Sequence, residues 1–178
     1  MSWFKSAGAE PSAEKFEVTL TEAQWRERLS PEQFKVLRQH GTERAGSSPL
    51  DNEKRAGQFL CAGCELPVYD AKTKFDSGTG WPSFYQPLDG AIGTSEDRSL
   101  FSVRTEIHCR RCGGHLGHVF DDGPRPTGKR YCMNGVALVF RPAYQFGLNY
   151  HTGVRRCASV TTGHFGRRNG DRQCDLHR

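Results

Sequence analysis

The stretch Cys109-Arg-Arg-Cys-Gly-Gly-His-Leu-Gly-His-Val-Phe120 decides how this chain folds. It begins as a Cys-x-x-Cys turn, which aims two sulfurs at one point, and runs on into a glycine-punctuated segment of strand character, Leu116 to Phe120. A second turn of the same kind, Cys61-Ala-Gly-Cys64, lies upstream, with 44 residues between Cys64 and Cys109. Two such turns supply the four thiolates of a tetrahedral zinc, and at this separation the ion ties two distant hairpins together. Cys61, Cys64, Cys109 and Cys112 are therefore expected to hold one structural Zn2+. Four thiolates leave no open coordination position, so the metal is not expected to take part in chemistry. Gly113 follows the second turn, as such knuckles favour, whereas Glu65 follows the first; the second is the cleaner match.

The rest of the composition suits a turn-rich, mainly β protein. Of 178 residues only 35% are hydrophobic, but eleven Phe, five Tyr and three Trp supply large buried surfaces, and 20 Gly with nine Pro demand many turns. The length fits a single domain. The formal charge of +5 does not point to nucleic acid, because the basic residues are spread along the chain and concentrate mainly after Tyr150. No run approaches the roughly 20 apolar residues of a membrane span. The first residues, Met1-Ser-Trp-Phe-Lys-Ser, lead into Ala, Glu and Pro rather than an apolar secretory segment. Seven cysteines, an odd number, fit a reducing compartment, so a cytoplasmic monomer is expected.

Two short helices are predicted near 22–28 and 31–39. Thr21-Glu-Ala-Gln24 and Ser30-Pro-Glu-Gln33 are capping boxes, Pro31 suits the first helical position, and Gly41 is the expected terminator of the second helix. From Phe59 the pattern becomes short alternating runs cut by Gly, Pro and Asp. Strands are predicted at Leu100 to Ile107, Leu116 to Phe120 and Tyr131 to Phe140. Residues 1–15 read as a flexible N-terminus, 16–144 as the functional domain, and 145–178 as a largely disordered tail rich in Gly, Arg, Asn, His and Thr.

Cys132 stands apart from both knuckles, in Lys129-Arg-Tyr-Cys-Met-Asn134. Strand alternation puts Arg130, Cys132 and Asn134 on one face, and Arg130 with Lys129 would favour the thiolate, the nucleophilic form. An inert buried thiol is the usual reading of a lone strand cysteine, and here the neighbours argue against it. His115 and His118 bring imidazoles close behind the second knuckle, His118 being the better candidate proton carrier and His115 a supporting or structural residue. In Phe75-Asp-Ser-Gly-Thr-Gly-Trp-Pro-Ser-Phe84, the glycines before Trp81 and Pro82 after it favour presenting the indole at a site.

Four motifs together, Cys61-Ala-Gly-Cys64, Ser77-Gly-Thr-Gly-Trp-Pro-Ser-Phe84, Cys109 to Phe120 and Arg130-Tyr-Cys-Met-Asn134, make the chain from about Phe16 to Pro142 resemble the B-type methionine sulfoxide reductases. The resemblance implies a tent-like fold of two small antiparallel sheets with short N-terminal helices, a structural zinc, and Cys132 as the nucleophile. It implies that Trp81 holds the sulfoxide methyl group, with Phe84 and Arg130 on the substrate side, and that His115, His118 and Asn134 surround the sulfoxide oxygen. The reaction implied is reduction of methionine-R-sulfoxide, peptide-bound and free, through a cysteine sulfenic acid. Where many relatives place a recycling cysteine, two positions before the Trp, this chain has Thr79. The resolving thiol is then Cys157 or Cys174 in the tail, or an outside reductant such as thioredoxin, glutaredoxin or glutathione. The competing readings are a non-catalytic zinc-stabilised β-tent that binds protein and a basic zinc module that binds nucleic acid.

Overall fold

The computed structural model describes residues 15–98 and 103–143. Both helices start where their capping boxes place them. Helix α1 spans Glu22–Arg28 and α2 spans Pro31–Gln39. The Gln24 and Gln33 amides donate to the Thr21 and Ser30 hydroxyls at 3.3 and 3.2 Å, and the glutamine side chains accept from the cap amides at 2.9 and 3.1 Å. Such reciprocal pairing satisfies amides that the first helical turn leaves without partners. The end of α2 differs from expectation. His40, not Gly41, takes the left-handed conformation at φ 55°, and this turn carries the imidazole to Glu106, 2.8 Å away.

Among the described residues nine strands follow: β1 Gly57–Cys61, β2 Pro67–Asp70, β3 Lys74–Phe75, β4 Ser83–Phe84, β5 Ile92–Asp97, β6 Arg104–Cys109, β7 His115–Phe120, β8 Arg130–Met133 and β9 Leu138–Pro142. They form two antiparallel sheets, one ordered β2-β1-β9 and the other β3-β4-β8-β7-β6-β5. The mainly β, two-sheet architecture with short N-terminal helices is the expected one. Strand β6 covers the second part of the predicted Leu100 to Ile107 segment; residues 99–102 lie outside the described residues, as do 1–14 and 144–178, including the tail.

The predicted continuous strand from Tyr131 to Phe140 does not form. A 3-10 turn at Gly135–Ala137 divides it, and the two halves join different sheets. The cause is local. The Glu43 carboxylate accepts from the Gly135 and Val136 amides at 2.6 and 2.9 Å, and a Cβ at position 135 would collide with Ser48. A sequence pattern cannot show a partner 92 residues away.

The sheets meet through aromatic side chains. Tyr69 stacks on Phe84 at 4.3 Å, Phe59 meets Phe84 edge-on at 4.9 Å, and all three are fully buried. Each such burial stabilises by on the order of 2–3 kcal/mol. The Tyr69 hydroxyl donates to Met133 Sδ at 3.2 Å, so β8 turns Met133 toward this core.

The two cysteine turns close the hairpins β1–β2 and β6–β7 with matching hydrogen bonds. Cys61 N–H donates to Leu66 O and Glu65 N–H to Cys61 O; Cys109 N–H donates to Gly114 O and Gly113 N–H to Cys109 O. The lesser match at Glu65 therefore leaves the geometry unchanged. Glu65 occupies the left-handed region at φ 59°, as Gly113 does at φ 66°. A side chain there is strained by about 1–2 kcal/mol, offset in part by the extra chain entropy that glycine loses. Glu65→Gly is accordingly expected to raise stability by about 0.5 kcal/mol in thermal unfolding. Gly113→Ala, whose Cβ would also strike Phe16, is expected to lower stability by about 2 kcal/mol or more. A destabilising Glu65→Gly contradicts this account of the knuckles.

Candidate active site

The pairing register builds the site. Ser95 lies opposite Glu106, Glu106 opposite His118, His118 opposite Cys132, and Cys132 opposite Ser83. Side chains of directly opposed residues share one face of a sheet, with Cβ atoms about 4.5–5.5 Å apart. One row across β5, β6, β7, β8 and β4 therefore carries a carboxylate, an imidazole and a thiol between two hydroxyls. Alternation sends Tyr131 and Met133 to the other face, where both meet Tyr69.

His115 and His118 are three residues apart, so regular alternation would put them on opposite faces. The register between β6 and β7 shifts: Ile107 faces Gly117 but His108 faces His115, leaving Leu116 as an extra residue. This bulge returns His115 to the side of Glu106, with Nδ1 2.6 Å from Oε1. The same carboxylate meets His40 Nδ1 at 2.8 Å and accepts from Ser95 Oγ at 3.0 Å.

A cavity of about 120 Å³ opens over the row, lined by Trp81, His118, Cys132, Asn134, Thr42 and Arg104 among others. Of the residues expected at the site, four line it: Cys132, His118, Trp81 and Asn134. His115 is 1% exposed and sits behind His118, their ring centroids 5.4 Å apart, and its Nε2 has no hydrogen-bond partner. Phe84 belongs to the aromatic core, fully buried against Tyr69, because its alternation on β4 opposes that of Ser83. Arg130 lies over the Phe120 ring at 4.4 Å and binds Asp122 through two 2.9 Å contacts, outside the cavity lining. Cys157 and Cys174 lie outside the described residues.

Glu43 is the organising residue that the sequence did not disclose. Its amide donates to Asn134 Oδ1 at 3.0 Å, its carbonyl accepts from the Trp81 indole at 3.2 Å, and its carboxylate holds the 135–137 turn. Asn134 is fixed further by donating to Leu116 O at 3.2 Å. Nothing in the run Gly41-Thr-Glu-Arg44 announces such a hub, because its partners are backbone amides, the Asn134 side chain and an indole far along the chain.

The electrostatics also depart from expectation. Burial pushes the Cys132 thiol above its ordinary range, and the opposing influences, first the Thr79 hydroxyl 4.0 Å away and then the Arg130 charge, do not overcome it. Lys129 pairs with Asp121 and Arg130 with Asp122; Arg130 still pulls the thiol down by its charge and a hydrogen bond, as expected, but burial outweighs that pull. Burial likewise lowers His118, although its hydrogen bond to Asp97 works the other way. His118 Nε2 is 2.8 Å from Asp97 Oδ2; a carboxylate only accepts, so Nε2 carries the proton and Nδ1 keeps its lone pair. For Glu106 burial is the largest influence and would raise the carboxyl, but the His115 hydrogen bond and the His115 and His40 charges outweigh it and hold the group at about 2.

The four knuckle cysteines converge as expected, all buried, with one ligand atom each and these atoms within 4.8 Å of one another. Cys61 and Cys112 sulfurs are 3.7 Å apart and those of Cys64 and Cys109 3.4 Å. Disulfide sulfurs lie at about 2.05 Å. Tetrahedral metal–thiolate bonds of about 2.3 Å separate their sulfurs by about 3.8 Å. The set therefore fits a metal ion and could bind one. No helix among the described residues is long and apolar enough to cross a membrane.

A family model described as the SelR domain matches residues 29–142. The peptide methionine sulfoxide reductase MsrB of Agrobacterium fabrum is 52% identical over 126 residues, covering 70% of this chain and 93% of the relative. MsrB of Leptospira interrogans is 49% identical over 127 residues, 71% of this chain and 97% of that one. The chloroplastic peptide methionine sulfoxide reductase B1 of Arabidopsis thaliana is 54% identical over 128 residues, 71% of this chain and 63% of the plant protein. The chain belongs to the SelR-domain family of methionine sulfoxide reductases, which are oxidoreductases, and the non-catalytic readings are set aside.

The carboxylate beneath the site has a testable energetic signature. A group held below its unfolded value stabilises the fold above that value and loses the contribution as pH falls toward its folded one. For Glu106 the window runs from 4.5 down to about 2. Glu106→Gln is expected to cost about 2 kcal/mol in urea unfolding at pH 7, with the difference from wild type shrinking across that window at matched metal loading. A cost independent of pH would mean that the charge is not what binds the histidines.

Proposed function

We propose that the chain reduces methionine-R-sulfoxide, in peptides and as the free amino acid, with Cys132 as nucleophile and His118 as proton carrier. The observation that carries this reading is the direct pairing of Cys132 with His118 inside a cavity walled by Trp81.

The resting state is a thiol beside a neutral imidazole, since burial raises one and lowers the other. His118 Nδ1 takes the Cys132 proton as the sulfur attacks the sulfoxide sulfur. The imidazolium then returns that proton to the sulfoxide oxygen. The sulfur–sulfur bond formed in the attack then breaks with its electron pair going to methionine, while the substrate S–O bond breaks and the hydroxyl passes to Cys132, which becomes a sulfenic acid. Methionine is reduced and Cys132 oxidised by two electrons, with no net proton exchanged. The flat indole of Trp81 packs the methyl group, which leaves only one epimer with its oxygen toward His118. Asn134 fixes the cavity wall, and His115 backs His118 from the buried side. Arg130 anchors the 121–122 turn and favours the thiolate of Cys132 by its charge and a hydrogen bond, and Phe84 supports β4 from the core.

Regeneration needs two thiols: the first forms a mixed disulfide and releases water, the second restores Cys132. Thr79 lies 4.0 Å from Cys132 Sγ and has only a hydroxyl to offer. The reductant is therefore an outside thiol, such as thioredoxin, unless Cys157 or Cys174 intervenes. The four-cysteine set holds Zn2+ as a structural ion, its spacing and all-sulfur chemistry suiting that metal. Residues 16–144 form the reductase domain, which acts as a monomer in the cytoplasm, where thiol reductants are abundant.

Given racemic methionine sulfoxide and dithiothreitol, the protein is expected to consume the R epimer alone. Cys132→Ser is expected to lose at least ~10³-fold in kcat/KM. The rate should decline as pH falls below 6.5, where protonated His118 can no longer accept the thiol proton. Consumption of the S epimer, or substantial turnover by Cys132→Ser, rules the assignment out.

A further inference from the structure

Beside the catalytic cavity runs a larger groove of about 740 Å³, between α2 with the 42–50 loop on one side and the 135–137 turn with β9 on the other. Thr42 lines both cavity and groove. The partition is Glu43, whose carbonyl holds Trp81 on the catalytic side while its carboxylate holds Gly135 on the groove side. The two spaces therefore adjoin at Thr42 and Glu43, and the smaller one has room for a side chain rather than a chain segment.

The groove has the character of a chain-binding surface. Val36, Leu50, Val136, Leu138 and Val139 line it. Val139 is 46% exposed, one of two large hydrophobic residues so exposed among those described. Its strand, β9, is the border of the β2-β1-β9 sheet, and no described segment hydrogen-bonds to its outer edge. An open strand edge beside exposed apolar side chains is a template for an extended peptide, main-chain bonds giving affinity and apolar pockets selectivity. Apolar surface left uncovered next to a reaction site commonly marks where a ligand continues.

We infer that this groove takes the polypeptide flanking the oxidised methionine, extended along β9, with an apolar residue near the methionine seated against Val139 and Leu50. The inference rests on the proposed reductase reading and adds a sequence preference at that site: segments in which the oxidised methionine has apolar neighbours. Such segments come from protein cores opened by oxidation, where methionine lies among other apolar residues.

The test uses the full chain, wild type and Val139→Glu, with three probes: free methionine-R-sulfoxide, an oxidised heptapeptide with leucines flanking the sulfoxide, and the same peptide with serines. The leucine peptide is expected to bind about tenfold more tightly than the serine peptide by fluorescence anisotropy, and Val139→Glu should remove most of that difference. Turnover of the free amino acid sulfoxide should be unchanged by the substitution. Because anisotropy does not require turnover, an inactive enzyme that still shows the Val139-dependent preference counts against the reductase reading and for the groove. Equal affinity for the two peptides, or a preference that survives Val139→Glu, overturns the inference. So does a Val139→Glu protein whose sedimentation changes while its peptide affinity does not, since the groove would then serve a second copy of the chain.

Discussion

The backbone pairing of β7 with β6 on one side and β8 on the other is the constraint on which everything else rests. It sets Glu106, His118 and Cys132 in one row, and it does so through ladder hydrogen bonds rather than through any contact between the reacting groups. A slip of one residue would turn each of them to the opposite face. The register is guarded at one end by the Cys109–Cys112 turn, whose sulfurs join those of the β1–β2 hairpin, and at the other by the Asp121 and Asp122 pairs with Lys129 and Arg130. Lys129 and Arg130 brace the hairpin that carries the thiol, and the pull of Arg130 toward the thiolate does not offset burial.

Activation comes instead from balance. A half-buried thiol that keeps its proton and a half-buried imidazole that refuses one form a pair in which transfer awaits a substrate. Excluding water from so small a space strengthens the charges that arise when the proton moves. Glu106 serves beneath this pair as a fixed anion, gathering His115, His40 and Ser95 so that the row cannot relax around an absent partner.

Much of this could be read in the chain itself, because the informative signals were local. Two capping boxes placed both helices, two Cys-x-x-Cys turns placed the four-sulfur cluster, and alternation along 130–133 separated Cys132 from Tyr131 and Met133. What escaped was non-local or depended on geometry. The bulge at Leu116 that turns His115 inward has no residue signature, and the 135–137 turn is set by Glu43 from a distant loop. Phe84 sits in the same motif as Trp81 but on the opposite face of its strand, so proximity in sequence misled. The resting thiol of Cys132 was not legible because a count of neighbouring cations does not register burial, the largest influence on it.

Oxygen transfer to a single sulfur is the heart of the account, and it can be followed directly. Methionine-R-sulfoxide carrying heavy oxygen, one equivalent and no reductant, should leave the label on the tryptic peptide containing Cys132, as a sulfenic acid trapped by an oxygen-retaining reagent and read by mass spectrometry. Label on another cysteine, or unlabelled oxygen at Cys132, would contradict it.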